Sequence, residues 1–155
     1  MSRLLIEFFE VPPDADEAFL ADWQRERSGA TLYRAIRPDT PVRFVSVAPG
    51  DSHQLLHEDG DVDGAGGVTL IEPFDEQFLA DWQRLRTLLA VRRGYIGSRL
   101  YRAGVEGVPC VGITRWSSPL MRHRALQRPD VHAAVESLRS SPAFYERVSP
   151  GLSGP

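Results

Sequence analysis

Apolar residues along this chain switch between two spacings, and the switches mark its elements. From Arg3 to Val11 the run Leu4, Leu5, Ile6, Phe8 and Phe9 is dense and strand-like, and Pro12-Pro13 stops it. Phe19, Leu20 and Trp23 then fall on one face at helical spacing. Asp14 and Glu17 ahead of them are spaced as a capping box, and Gly29 ends the helix. Short strands are expected over Thr31 to Arg37 and Arg43 to Ala48, separated by the turn Pro38-Asp39-Thr40-Pro41. Between 50 and 67 the pattern fades into a Gly- and Asp-rich stretch, which reads as a linker.

The pattern resumes with a strand from Val68 to Phe74. A helix from Asp75 to about Arg93 follows, with Phe78, Trp82, Leu85 and Leu89 at three- and four-residue spacing and Gly94 as its closing residue. Strands are expected over Ile96 to Ala103 and Cys110 to Trp116. Ser117-Ser118-Pro119 opens a helical region to Leu138, interrupted where Pro129 starts a new first turn, and Phe144 to Val148 reads as a last short strand.

The two halves repeat each other. Nine of the ten residues Asp16-Glu17-Ala18-Phe19-Leu20-Ala21-Asp22-Trp23-Gln24-Arg25 recur in Asp75-Glu76-Gln77-Phe78-Leu79-Ala80-Asp81-Trp82-Gln83-Arg84. Leu5-Ile6-Glu7 matches Leu70-Ile71-Glu72, and Leu32-Tyr33-Arg34-Ala35 matches Leu100-Tyr101-Arg102-Ala103. The expected division is a truncated β-α-β-β repeat over 1–49, the linker over 50–67, and a complete β-α-β-β-α-β repeat of ferredoxin-like order over 68–150. A sheet with its helices on one side leaves the other side apolar and uncovered. The fold class is therefore α+β: tandem ferredoxin-like repeats whose antiparallel sheets pack face to face as an intrachain α+β barrel, helices outside. This pseudo-dimer leaves room for a homodimer in addition.

Composition narrows the partners. A hydrophobic share of 42% with 25% charged residues is ordinary for a globular chain. The net charge of −3 argues against nucleic acid and anionic membranes, which require a positive field. No apolar run approaches the roughly 20 residues of a membrane span, and charge enters too early for a signal peptide, so a cytoplasmic protein is expected. Cys110 is alone in a strand-like run, where a buried inert thiol is expected. The chain has neither Lys nor Asn, a bias of GC-rich coding sequence. Lysine Schiff-base chemistry is thereby excluded, and the fixed cations are guanidiniums suited to carboxylates or phenolates.

Two metal patterns fail on spacing. Asp59-x-Asp61-x-Asp63-Gly64 begins like a calcium loop, but Leu70 stands where the bidentate Glu belongs. His53 and His57 lack a third ligand for zinc. Neither a metal nor a cofactor is expected.

On Asp75-Glu76-x-Phe78-Leu79-x-x-Trp82, Gly94-Tyr95-Ile96-Gly97-Ser98-Arg99-Leu100-Tyr101-Arg102 and Val111-Gly112-Ile113-Thr114-Arg115-Trp116-Ser117-Ser118, the chain resembles the antibiotic-biosynthesis-monooxygenase family of dimeric α+β barrels. The resemblance covers most of 68–148 and, more faintly, 3–49. It implies a pocket between the sheet and its helices. Members include cofactor-free oxygenases of aromatic polyketides, in which an electron-rich substrate anion reacts directly with dioxygen, as well as haem-degrading enzymes and proteins without an assigned reaction. Several such oxygenases carry a pocket asparagine, which this chain lacks.

Residues present in both halves, namely Glu7 and Glu72, Trp23 and Trp82, Tyr33 and Tyr101, Arg34 and Arg102, read first as shared scaffold. Trp116 has no first-half counterpart, since the matching strand ends in Ala48-Pro49-Gly50, and is expected to stack on a flat substrate. His132, beside Val131 and Val135, is the preferred base and His123 the alternative. Arg102 or Tyr145 would stabilise the resulting oxyanion. Phe74, Trp82, Tyr95, Tyr101 and Arg115 would line the substrate site. The expected function is a cofactor-independent monooxygenase or tailoring enzyme in antibiotic or secondary-metabolite biosynthesis, using a small aromatic polyketide-like substrate and dioxygen. A polyketide cyclase or isomerase, or a non-catalytic small-molecule-binding protein, is the alternative on the same fold.

Overall fold

The computed structural model describes residues 3–26, 29–64, 66–104, 106–138, 140 and 142–148. The first half contains β1 (Arg3–Glu10), α1 (Asp16–Glu26), β2 (Thr31–Ala35), β3 (Val42–Pro49) and β4 (His53–Gly60). The second contains β5 (Val68–Phe74), α2 (Leu79–Leu89), β6 (Tyr95–Ala103), β7 (Cys110–Trp116), α3 (Pro119–Leu126), α4 (Pro129–Ser137) and β8 (Ala143–Arg147). Short 3-10 turns, Pro13–Ala15 and Glu76–Phe78, lead into α1 and α2.

The eight strands close into an antiparallel barrel in the order β1-β3-β2-β8-β5-β7-β6-β4. Each half supplies four adjacent strands in the same relative order, β4-β1-β3-β2 and β8-β5-β7-β6. The halves meet at two seams, β2 with β8 and β4 with β6.

The stretch 50–67 is therefore no linker. Residues 53–60 are β4, paired with β6 from His53↔Ala103 to Gly60↔Gly97. The first half thus has its fourth strand and lacks only the second helical region. Beyond β4, Val62 inserts among the barrel-interior residues at 4% exposure. Arg115 holds the loop down through Asp61 O (3.0 Å) and Gly66 O (2.8 Å). The carboxylates of Asp59, Asp61 and Asp63 turn to different partners: Tyr95 and Arg86, backbone N–H groups, and Arg99. No group of three or more metal-ligating side chains occurs among the described residues.

The capping box is also absent. Asp14 is exposed and the residue before the turn, Pro12, makes no side-chain cap. Asp16 is the acid with a structural task. At 5% exposure it accepts from Arg43 Nη2 (2.8 Å) and Arg34 Nη2 (3.1 Å), and the hydrogen bond from Arg43 holds its carboxyl below the usual carboxylate range. Two guanidiniums offset its desolvation in a way that one capping amide would not. Helix α2 ends at Leu89, short of the expected Arg93. The chain turns through Gly94 at φ +91°, where a Cβ would lie 2.4 Å from Cβ of Met121 on α3.

Strand alternation sorts the core into layers. Ile6, Tyr33, Val45, Ile71, Tyr101, Val111, Ile113 and Tyr145 fill the barrel. Leu70, Phe74, Leu100 and Trp116 face outward to Trp82, Leu85 and Leu89 of α2, Ala125 of α3 and Val131 and Ala134 of α4. Because the helices cover one face and the barrel the other, every residue of β7 is buried. The first half has a smaller outer layer of Trp23, Leu32 and Phe44, with Phe19 stacked on Phe44 at 4.3 Å. Cys110 is buried, as the sequence leads one to expect, and burial pushes its thiol pKa up. No helix among the described residues is long and apolar enough to cross a membrane.

Candidate functional site

In β5 the outward positions are Leu70, Glu72 and Phe74, so one carboxyl group stands in an otherwise apolar row. Glu72 is 3% exposed beneath the helices, and burial pushes its pKa up. Ser140 Oγ donates to it at 3.1 Å, Trp82 donates a further hydrogen bond, and the charge of Arg122 on α3 opposes the shift. Arg122 itself has its pKa pushed down by burial, lies over the Phe144 ring at 5.9 Å, and has an Nε without a hydrogen-bond partner among the described residues. Among the described residues the two groups feel each other's charge but form no ion pair. A buried acid beside a half-buried guanidinium with which it forms no ion pair is expensive for a fold to keep, which makes the pair a candidate functional site.

The aromatic surroundings of Glu72 come from the repeat motif and are packed as core. Trp82 lies parallel to Phe74 with ring centroids 6.3 Å apart and rests on Gly112 of β7. A Cβ at Gly112 would come within 2.2 Å of Trp82 Nε1. Gly112→Ala is therefore expected to cost about 1–3 kcal/mol by overpacking, read as a lower Tm in calorimetry. An unchanged Tm would mean that the indole has room to move.

The same alternation divides the residues expected from sequence. Phe74, Trp82 and Trp116 share the outer layer with Glu72. Trp116 is 0% exposed and meets Tyr95 edge-on at 5.7 Å, so it is packed as core. Tyr95 donates its hydroxyl to Asp59 Oδ1 at 2.7 Å at the margin of the layer, and burial pushes its pKa up to about 12. Tyr101 and Tyr145 point the other way, into the barrel, where Tyr145 donates to Val42 O at 2.9 Å and burial pushes its pKa up to about 12. Arg115 is committed to the 61–67 loop at the barrel end. Arg102 is exposed, pairs with Glu76, and borders a separate cleft of about 700 Å³ at the β4–β6 seam.

The two candidate bases are not in the layer. His132 is exposed on α4 and pairs with Glu136 at 3.0 Å, and His123 is exposed on α3 beside Gln127. His132 follows Val131, which is buried, and consecutive helix residues point about 100° apart. Neither imidazole approaches Trp116 or Glu72 as a proton acceptor. His53 is buried, but both its nitrogens are engaged, with Ser52 Oγ at 2.7 Å and Pro109 O at 2.9 Å.

No family model matches the chain, and no curated protein matches it. Solved structures do share its fold. An anthrone oxidase-like protein superposes with a TM-score of 0.66 at 13% identity, covering 94% of this chain and 90% of its own. A ferredoxin-fold protein from Listeria monocytogenes, related to antibiotic biosynthesis monooxygenases, gives 0.60 at 14% identity, covering 94% of each chain. A heme-degrading enzyme from the same organism gives 0.58 at 16% identity, covering 92% of this chain and 97% of its own. The chain thus has an antiparallel α+β barrel fold shared with monooxygenase-like proteins of ferredoxin-fold type.

Proposed function

We propose that this protein is a cofactor-independent oxygenase of a small, electron-rich aromatic substrate of polyketide type, working between the second-half sheet and helices α2, α3 and α4. The observation that carries this reading is Glu72, a buried carboxyl group that has no ion-pair partner among the described residues and feels the charge of Arg122. Burial makes its carboxylate a stronger base than an exposed one, so it can take the acidic proton of a phenol or anthrone. Arg122 stabilises the resulting oxyanion, and Trp82, Phe74 and Phe144 supply flat apolar walls. The substrate anion then gives up electrons to dioxygen. For an anthrone, the ring CH₂ becomes C=O with one oxygen atom, and the other leaves as water with the two hydrogens. The resemblance in sequence motifs and the shared fold with an anthrone oxidase-like protein support the same substrate class.

Oxygen uptake by chelator-treated protein with a small anthrone tests it. Wild type is expected to exceed the spontaneous rate, Glu72→Gln to lose at least tenfold, about 1.4 kcal/mol of barrier, and His132→Ala to match wild type. A Glu72→Gln variant as active as wild type sinks the proposed site. Substrate turnover without oxygen uptake replaces the reading with a cyclase or isomerase.

A further inference from the structure

A second polar feature of the helical layer is independent of Glu72. Where the end of α2 meets α3 and the start of α4, a pocket of about 150 Å³ is lined by Arg92, Arg93, Met121, Arg124, Ala125 and Arg128. Four of these six residues are arginines and none is acidic, in a chain whose net charge is −3. Two ordinary roles explain part of the cluster. Cations near the last turns of α2 and α3 complement their carbonyl ends. Arg128 reaches Asp130 at 3.6 Å, a weak pair because both groups are about half exposed.

The remainder is unexplained by the fold. Arg92, Arg93 and Arg124 form no ion pair among the described residues, and Nε of Arg92 is buried without a hydrogen-bond partner. Several exposed arginines elsewhere in the molecule do find carboxylates, Arg3 with Asp51, Arg25 with Asp22, Arg37 with Asp39 and Arg102 with Glu76, so three arginines gathered unpaired in one pocket stand out.

We propose that this pocket binds the phosphate group of a small phosphorylated molecule. Guanidinium forks match phosphate oxygens in pairs, and several converging forks favour a dianion over a monoanion. The pocket has a volume of roughly five waters, which suits one tetrahedral oxyanion. Met121 and Ala125 give it an apolar floor, which strengthens the attraction by displacing water. The organic part of the ligand would extend outward.

Calorimetric titration with phenyl phosphate at low ionic strength tests this, set beside benzoate and an Arg93→Gln/Arg124→Gln variant. Both arginines are exposed, so the variant should keep the wild-type circular dichroism spectrum and Tm. Saturable binding of phenyl phosphate is expected, about tenfold or more tighter than benzoate, about tenfold or more weaker in the variant, and weakened by salt. Equal affinity for benzoate, an unchanged affinity in the variant, or no saturable binding overturns the proposal. So would a single-stranded oligonucleotide that binds more tightly as its length grows, because the surface would then be tracking a polyanion.

Discussion

Truncating Trp116 to alanine is expected to destabilise the protein by about 3–5 kcal/mol, the range for a large aromatic removed from a core that cannot collapse. The indole is 0% exposed at the end of β7, a strand buried along its whole length between barrel and helices. Tyr95 meets it edge-on with ring planes at 90°, and Leu70, Leu100 and Ala125 belong to the same packed layer. Its Nε1 has no hydrogen-bond partner among the described residues, so the loss is one of packing. Trp116→Phe keeps a ring against Tyr95 and should cost less than half as much. Urea denaturation checks both: the midpoint should fall in that order while the slope stays constant. A tryptophan that served mainly to stack on substrate would give the opposite result, with stability kept and ligand affinity lost.

Trp116 illustrates where sequence reading succeeds and where it stops. That the strand ending there is buried follows from Cys110-Val111-Gly112-Ile113, and its place in a ferredoxin-like half follows from the repeat. What an indole at that strand end faces depends on how α3 and α4 fold back, which no local spacing encodes. Strand β4 was hidden for a related reason. His53, Glu58 and Asp59 make its pattern polar, and the partner that stabilises it, β6, lies far along the chain in the other half. The expectation of a buried His132, by contrast, fails on a pattern present in the sequence itself. Val131, Ala134 and Leu138 recur at three- and four-residue spacing, which places His132 off the buried stripe.

Glu72 was half legible. A carboxyl group between Leu70 and Phe74 on one strand face is an anomaly in the alternation, but its recurrence as Glu7 makes it read as scaffold. The difference is tertiary. Glu7 is only partly buried, whereas the second-half helices α3 and α4, which have no counterpart in the first half, seal the layer around Glu72. The same local motif thus yields a partly exposed carboxyl group in one half and a buried one with a raised pKa in the other.

Glu72→Gln should therefore change how stability depends on pH, apart from any effect on turnover. Because burial raises the folded-state pKa of Glu72, the unfolded chain loses this proton first as pH rises. The stabilisation from keeping the group neutral is complete below the unfolded value near 4.5. Above it, that contribution falls by about 1.4 kcal/mol per pH unit until the folded group also ionises. Glutamine has the shape of the protonated acid and accepts the hydrogen bonds from Ser140 and Trp82, but it does not titrate. The other carboxylates, including Asp16, Asp59 and Asp63 with lowered pKa values, contribute alike to both proteins and cancel in the difference. Unfolding free energies of wild type and Glu72→Gln should run parallel below about pH 4, and the variant should gain on wild type as pH rises from there. A difference that stays flat from pH 4 to pH 8 would mean that Glu72 is ionised and solvated in the native protein, and the proposed base would lose its physical ground. If the variant gains stability while losing oxygen uptake, the fold is carrying a destabilised carboxyl group for the sake of its chemistry.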